Sequence, residues 1–403
     1  MPGRHDPFDA VAPAGLRIGL VAGEPSGDVL GAGLARAIRR SYPDAAFCGI
    51  AGPAMLAEGV EGWIPMEQLS VMGITEVARH LPALLRARRE VLRRFEMLRP
   101  DVVVGIDAPD FTLGLERRLR ARGIRTVHYV SPTIWAWRPG RVHGIGKAAD
   151  CVLCLFPFEP PLYAEHGIRA EFIGHPMADA IPMTPDRAAA RAALGIPEAA
   201  GTRELIALLP GSRQGEVERL GEEFAGAAAL LAARHPGLRF VAPMATPVVR
   251  RTFEAQLAQR APGLHVRLVD GRAREVMAAA DIVLVASGTA ALETALHKRP
   301  MVVAYRVAPL TYRVVAALKL MKTERFSMPN LLAGEALVPE LIQQEARAER
   351  IADEVSGLVT DASWRARLEA RFTEIHEQLR QDADRRAAEV VLELVGRLPE
   401  PLA

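Results

Sequence analysis

Short apolar runs recur along the whole chain, each closed by glycine, proline or a small polar residue and followed by a longer stretch with helical spacing. In the first half the runs predict strands at Leu16–Ala22, Ala46–Ile50, Val102–Ile106, Arg125–Val130, Cys151–Phe156 and Glu171–Ile173. The second half repeats the rhythm at Leu205–Leu209, Arg239–Ala242, Val266–Val269, Ile282–Ala286 and Met301–Ala304. Runs that are apolar at nearly every position suit strands covered on both faces, and helical stretches between them imply parallel sheets. Two of the helices have legible starts. Leu30, Leu34 and Ile38 follow the turn Gly23–Asp28, and Val217, Leu220, Phe224, Ala228 and Leu231 follow a turn at Pro210-Gly211, with Ser212 as the expected cap. The expected fold is α/β, with two Rossmann-like, doubly wound parallel-sheet domains.

The stretch 182–203 is rich in Pro, Ala and Gly, and the domain boundary is expected there. The division is then a polar, disordered tail over 1–15, an amino-terminal domain over 16–190, a carboxy-terminal domain over 191–365, and a helical region over 366–403 able to pack back on the first domain. At 403 residues, half of them hydrophobic, the chain has material for two cores of about 200 residues each. A formal net charge of +2 argues against a dedicated nucleic-acid binder. Three cysteines, Cys48, Cys151 and Cys154, exclude a disulfide framework, and the CxxC spacing of the last two lies in a strand-like run that reads as structural. The first fifteen residues lack a signal-peptide core, and no run reaches membrane-span length, so the protein is expected in the cytoplasm or on a membrane surface.

The chemistry gathers where strands end. Leu205–Leu209 runs into Pro210-Gly211-Ser212-Arg213, where a helix N-terminus, a glycine and a guanidinium make a seat for phosphate. The Walker A lysine and hydroxyl are missing, so an anion is expected without Mg-assisted NTP hydrolysis. Ser287-Gly288-Thr289 after Ile282–Ala286 is a second glycine-assisted helix start, and Glu293 one turn on could accept from a ribose diol. Two anion seats and one carboxylate suit a nucleotide diphosphate. In the first half, Gly23-Glu24-Pro25-Ser26-Gly27-Asp28 does not form GxGxxG, and Glu24 suits a hydroxyl-rich ligand better than a phosphate. Asp107 directly follows Val102–Ile106, a sensible place for a general base. Trp135 and Trp137, near Arg138 and Arg141, could stack on a sugar or border a lipid, although tryptophans at strand spacing are more often packed.

Leu81 to Phe95 reads as a basic amphipathic helix, with Leu84 and Leu85 on one face, Arg86, Arg89 and Arg93 elsewhere, and apolar Met72 in the preceding segment. This pattern suits an anionic membrane surface, and equally a helix packed on the sheet with its arginines in water.

Seven pieces stand in order across both halves: VAGEPSGD from Val21, GIDAPDF from Gly105, SPTIWAWRPGRV from Ser131, FIGHPMAD from Phe172, LLPGSR from Leu208, ASGTAALE from Ala286 and MPNLLAG from Met328. Together they resemble the lipid-A-disaccharide synthase family from Arg17 to about Leu394. The resemblance implies a B-type glycosyltransferase fold with a cleft between its domains. It implies transfer from UDP-2,3-diacylglucosamine to 2,3-diacylglucosamine 1-phosphate (lipid X), giving the β-1,6-linked disaccharide 1-phosphate and UDP with inversion. It makes Asp107 the base, with Glu24 and Ser26 near the acceptor or reacting centre. Gly211, Ser212, Arg213, Ser287, Gly288, Thr289 and Glu293 would hold UDP, and Asn330 would close the site. No cofactor and no metal are implied. The acylated substrates shift the Leu81–Phe95 helix toward docking on the inner face of the cytoplasmic membrane. UDP-sugar epimerases and a non-catalytic nucleotide-binding module remain the competing readings, and a homo-oligomer is left open.

Overall fold

A computed structural model describes residues 15–69, 74–135, 139–197, 204–307 and 325–397, with side chains from residue 82 onward in the helix that begins at Ile74. Met72, Trp137, Arg138 and nearly all of the expected 1–15 tail lie outside the described residues.

The chain divides into two compact units, residues 1–176 with 381–403, and residues 177–380. The first holds a seven-stranded sheet in the order β3-β2-β1-β4-β5-β6-β7. Its strands are β1 Arg17–Ala22, β2 Ala46–Ala51, β3 Glu61–Pro65, β4 Val102–Ile106, β5 Arg125–Tyr129, β6 Cys151–Cys154 and β7 Ala170–Phe172. All its pairings are parallel. The second holds a six-stranded parallel sheet, β10-β9-β8-β11-β12-β13. Here β8 is Leu205–Leu209, β9 Arg239–Met244, β10 Val266–Asp270, β11 Ile282–Ala286, β12 Met301–Tyr305 and β13 Glu340–Ile342.

Continuous apolar runs become the central strands. Every residue of β4, β8 and β11 is buried, as a strand covered by helices on both faces requires. The edge strands β3 and β10 carry exposed positions. Gly19 in β1 gives the Phe95 ring room, since a Cβ there would stand 2.5 Å from it. The long helix carrying Phe95 thereby lies on the sheet. In each sheet the strand order reverses once, between β1 and β4 and between β8 and β11. At such switch points the loops leaving the two strands diverge and open a crevice beyond their carboxyl ends.

The division falls at Pro176/Met177 and Arg380/Gln381, not at the expected 190/191 and 365/366. The Pro- and Ala-rich composition of 182–203 misled because it contains a helix, Arg187–Ala193, fastened into the second unit. Arg187 and Arg191 both pair with Asp281 at 2.7 Å. The helix Ala362–Leu379 also stays with that unit, where the His376 ring meets the Ala178 carbonyl at 2.7 Å. Among the described residues of the expected 366–403 region, the helix Ala383–Leu394 is the one that returns to the first unit. Its Ala387, Ala388, Val391 and Leu392 join that core, and Gly33 leaves space for Asp384.

Candidate functional site

The turns leaving β1 and β4 meet at the first switch point. After β1, Gly23 and Glu24 lead into the helix Pro25–Ser41; Pro25 occupies its first turn, and Glu24 caps it through backbone alone. Gly23 is required because a Cβ there would lie 2.5 Å from the Cβ of Ala108 in the neighbouring turn. Ser26 is exposed and donates to Asp107 Oδ2 at 3.4 Å, bringing two of the sequence-predicted residues together. Glu24 is half-buried in the same turn. Asp28 does not cap its own helix. It is buried and accepts the amides of Gly52, Ala54 and Met55 at 2.7–3.0 Å, fixing the start of the helix Pro53–Ala57.

Asp107 and Ala108 both have positive φ, 53° and 44°. Two consecutive non-glycine residues in that region store strain, of order 1–3 kcal/mol each, that surrounding bonds must hold. Those bonds are present. The Asp107 amide donates to the Tyr129 carbonyl at 2.9 Å, and its carbonyl accepts from the Thr112 hydroxyl at 2.9 Å. Its carboxylate Oδ1 accepts from the Ala108 amide at 2.9 Å. The result is a half-buried carboxylate presented at the sheet edge in a fixed direction. One turn along, exposed Asp110 forms an ion pair with Arg141, tying this turn to the end of the Ser131–Val142 segment.

Sequence reasoning missed two buried groups behind this edge. Glu116 reaches His128 Nδ1 at 2.9 Å with both side chains excluded from solvent, and burial pushes the Glu116 carboxyl up. Gly105 makes room for it, since any side chain there would run into the Glu116 carboxylate; a glycine inside an apolar strand was the available signal. Glu159, the first residue of the helix Glu159–Ala164 that follows β6, is 2% exposed and accepts from the Phe156 amide at 3.0 Å. Burial pushes its carboxyl up to about 7, partly offset by that amide, the Ser131 hydroxyl and the Trp135 indole. Ser131 also shares a 2.8 Å hydrogen bond with the Tyr163 hydroxyl. Rings of Trp135, Phe158, Phe156 and His175 follow one another along this edge, each successive pair of centroids 5.6 Å apart. Burial drives the His175 imidazole down to about 4, so it is neutral at physiological pH.

In the second unit the switch point opens as a cavity of about 590 Å³. Gly211, Ser212 and Arg213 after β8 and Ser287, Gly288 and Thr289 after β11 all line it, so six of the eight residues expected to hold UDP share one space. Gly211 has φ 137° and Gly288 φ 140°, backbone that other residues rarely adopt. The helices Gln214–Arg234 and Thr289–Leu296 begin at this cavity, turning the positive ends of two dipoles toward it. Arg213, not Ser212, is the N-cap of the first helix. Glu216, which the sequence did not single out, accepts the amides of Ser212 and Arg213 and lines the cavity. Gly271-Arg272-Ala273 after β10 and Tyr305 at the end of β12 complete the wall; Arg272 takes φ 54° there.

Two expected residues stand elsewhere. Glu293 does not line the cavity and is paired with Arg274 at 2.6 Å. Asn330 is buried with its amide committed inside its own loop. It donates to the Val338 carbonyl and Glu340 at 2.9 and 2.8 Å and accepts the Val338 amide at 2.8 Å. A single sequence cannot reveal that an asparagine's bonding capacity is already spent on a turn.

On the helix Ile74–Leu98, Val91, Leu92 and Phe95 are core residues, Leu84 and Leu85 are half-buried, and Arg86, Arg89 and Arg93 are exposed. The carboxy-terminal half of the expected membrane face therefore packs on the sheet. Cys48, Cys151 and Cys154 are buried free thiols, and burial pushes Cys151 up to about 12, far from reactive thiolate character. Among the described residues no helix is long and apolar enough to cross a membrane.

Residues 18–395 match the model of a family described as lipid-A-disaccharide synthetase. A lipid-A-disaccharide synthase of Pseudomonas aeruginosa strain UCBPP-PA14 is 54% identical over 383 residues, covering 95% of this chain and 99% of that protein. One from Xanthomonas campestris pv. campestris strain 8004 is 52% identical over 380 residues, covering 94% and 86%. Among solved structures, the UDP-GlcNAc 2-epimerase of Neisseria meningitidis bound to UDP-GlcNAc superposes with a TM-score of 0.61. It covers 94% of this chain and 99% of that one at 12% identity, a likeness of fold alone.

Proposed function

The chain belongs to the lipid-A-disaccharide synthetase family and is a glycosyltransferase that forms the lipid A disaccharide; from that premise we propose how its residues divide the reaction. The donor is UDP-2,3-diacylglucosamine and the acceptor is 2,3-diacylglucosamine 1-phosphate. Asp107 takes the proton from the acceptor 6-hydroxyl as its oxygen attacks the anomeric carbon opposite the leaving UDP. The configuration inverts and the β-1,6 linkage forms. Ser26, donating to Asp107 Oδ2, and the Ala108 amide, donating to Oδ1, orient the carboxylate so that its remaining lone pairs face the acceptor, with Glu24 accepting from a further sugar hydroxyl.

The diphosphate lies against Arg213 and the helix start at Ser287-Gly288-Thr289. Fixed N–H dipoles and a guanidinium stabilise the charge that grows on UDP as the glycosidic bond breaks. These donors perform the task a divalent cation performs elsewhere, so transfer proceeds without added metal. Glu293, oriented by Arg274, is one turn from the seat and accepts from the ribose diol after a rotamer change. The acylated substrates stay in the bilayer, and the protein visits them at the inner face of the cytoplasmic membrane. Arg86, Arg89 and Arg93 meet anionic headgroups, each contributing about 1 kcal/mol near such a surface.

One observation carries this reading: in both sheets the two turns that leave the switch-point strands are the turns bearing the polar motifs. The test is a pair of variants. Asp107→Asn should lower kcat by about 10²–10⁴-fold while leaving the UDP dissociation constant unchanged, and Arg213→Ala should weaken UDP binding. A kcat unchanged in Asp107→Asn would remove that carboxylate from the chemistry.

A further inference from the structure

The first anion seat already holds an anion. Glu216 Oε2 accepts the Ser212 amide at 3.0 Å and the Arg213 amide at 3.2 Å, the two N–H groups that a phosphate approaching this turn would use. The turn is shaped around that side chain. A Cβ at Gly211 would lie 2.5 Å from Glu216 Cβ and 2.8 Å from its Oε2, so glycine is the residue that lets the carboxylate fold back over the turn. Glu216 lies in the first turn of the helix Gln214–Arg234, where a negative group gains from the dipole and an unpaired amide is costly. It is also part of the cavity wall, half-buried and facing open volume.

A carboxylate oxygen and a phosphate oxygen cannot accept the same pair of N–H groups without two negative oxygens in contact. We propose that Glu216 is a resident anion of the donor seat, exchanging with the diphosphate of the nucleotide sugar. With the cavity empty, the carboxylate satisfies both amides and keeps the Gly211–Arg213 turn in its binding shape. When the donor binds, the diphosphate takes the amides and the carboxylate turns out toward solvent. When UDP is left as product, the returning carboxylate competes for the same donors and hastens its departure. The device lowers the affinity of the seat for every diphosphate held there, donor and product alike, and so shortens the time for which UDP stays bound. This inference rests on the reading of the cavity as the UDP seat.

Glu216→Gln separates the possibilities, because a single amide oxygen can still accept both N–H groups, as Oε2 does, while the negative charge is gone. UDP titrated into wild type, Glu216→Gln and Arg213→Ala by calorimetry, with stopped-flow displacement for the dissociation rate, reads the outcome. Glu216→Gln should bind UDP about tenfold more tightly than wild type and release it correspondingly more slowly, with inorganic pyrophosphate following the same order. Equal or weaker UDP binding by a Glu216→Gln protein whose thermal midpoint is preserved would make Glu216 a permanent cap and overturn the exchange. Should Arg213→Ala lose UDP while Glu216→Gln behaves as wild type, the exchange fails and the UDP seat stands. Should wild type itself not bind UDP, the reading of the cavity fails and takes the exchange with it.

Discussion

Gly23→Ala is a small change with a large expected consequence, because the turn it belongs to supports the Asp107 turn by direct contact. The added Cβ would stand 2.5 Å from Ala108 Cβ, whereas carbon atoms in ordinary contact are about 3.5–4.0 Å apart. About 1 Å must be found, and the Gly23 side has little to give because β1 is buried between β2 and β4. The shift therefore falls on Ala108 and on Asp107 before it, both already in left-handed backbone. A displacement of about 1 Å at a catalytic group costs about 10²-fold in rate, while overpacking of this size costs about 1–3 kcal/mol of stability. The expected result is a folded protein whose kcat falls about 100-fold with UDP affinity retained, measured by radiolabelled disaccharide formation and by calorimetry. Ala108→Gly removes the opposing methyl and relaxes a positive φ, so the double variant Gly23→Ala/Ala108→Gly should recover most of the lost rate. A Gly23→Ala enzyme within twofold of wild type, or a double variant no better than the single, would refute the reasoning.

Two further outcomes are expected. The Glu159 carboxyl is raised by burial from 4.5 to about 7, so the fold is favoured by its neutral form; that contribution is complete below about pH 4.5 and is lost as pH rises through about 7. The loss is about 3 kcal/mol at about 1.4 kcal/mol per pH unit, and Glu159→Gln should abolish it, so that the variant gains on wild type in urea denaturation at pH 8 relative to pH 5; parallel pH dependence in the two proteins would contradict it. Replacing Arg86, Arg89 and Arg93 by Glu should release the protein from anionic vesicles in co-sedimentation while leaving UDP binding intact, and undiminished sedimentation would remove this face from membrane docking.

What the sequence could and could not reveal follows from where each feature gets its energy. The central strands were legible because a strand covered on both faces must be apolar at every position, as β4, β8 and β11 are. Glu61–Pro65 was not, since an edge strand with Gly62, Pro65 and half-exposed positions carries little periodic signal. Glu340–Ile342 is three residues long and owes its conformation to pairing with β12. The turns at Gly211, Ser287, Gly23 and Asp107 were readable because glycine and polar residues directly after a buried strand mark a sheet edge. Their pairing at switch points was not readable, because strand order is a tertiary property. Asn330 illustrates the converse: the residue was singled out, but its amide is spent on Val338 and Glu340, partners that only the fold brings near. Glu216 and Glu159 escaped notice because an acidic residue's role depends on which donors and how much water surround it.

The most direct test of the whole account is product analysis of purified protein incubated with UDP-2,3-diacylglucosamine and 2,3-diacylglucosamine 1-phosphate in the presence of EDTA. Mass spectrometry with NMR of the anomeric proton should show the β-1,6-linked disaccharide 1-phosphate and one equivalent of UDP. An epimerised donor, hydrolysis without coupling, an α linkage, or turnover that appears only when Mg²⁺ is restored would contradict it.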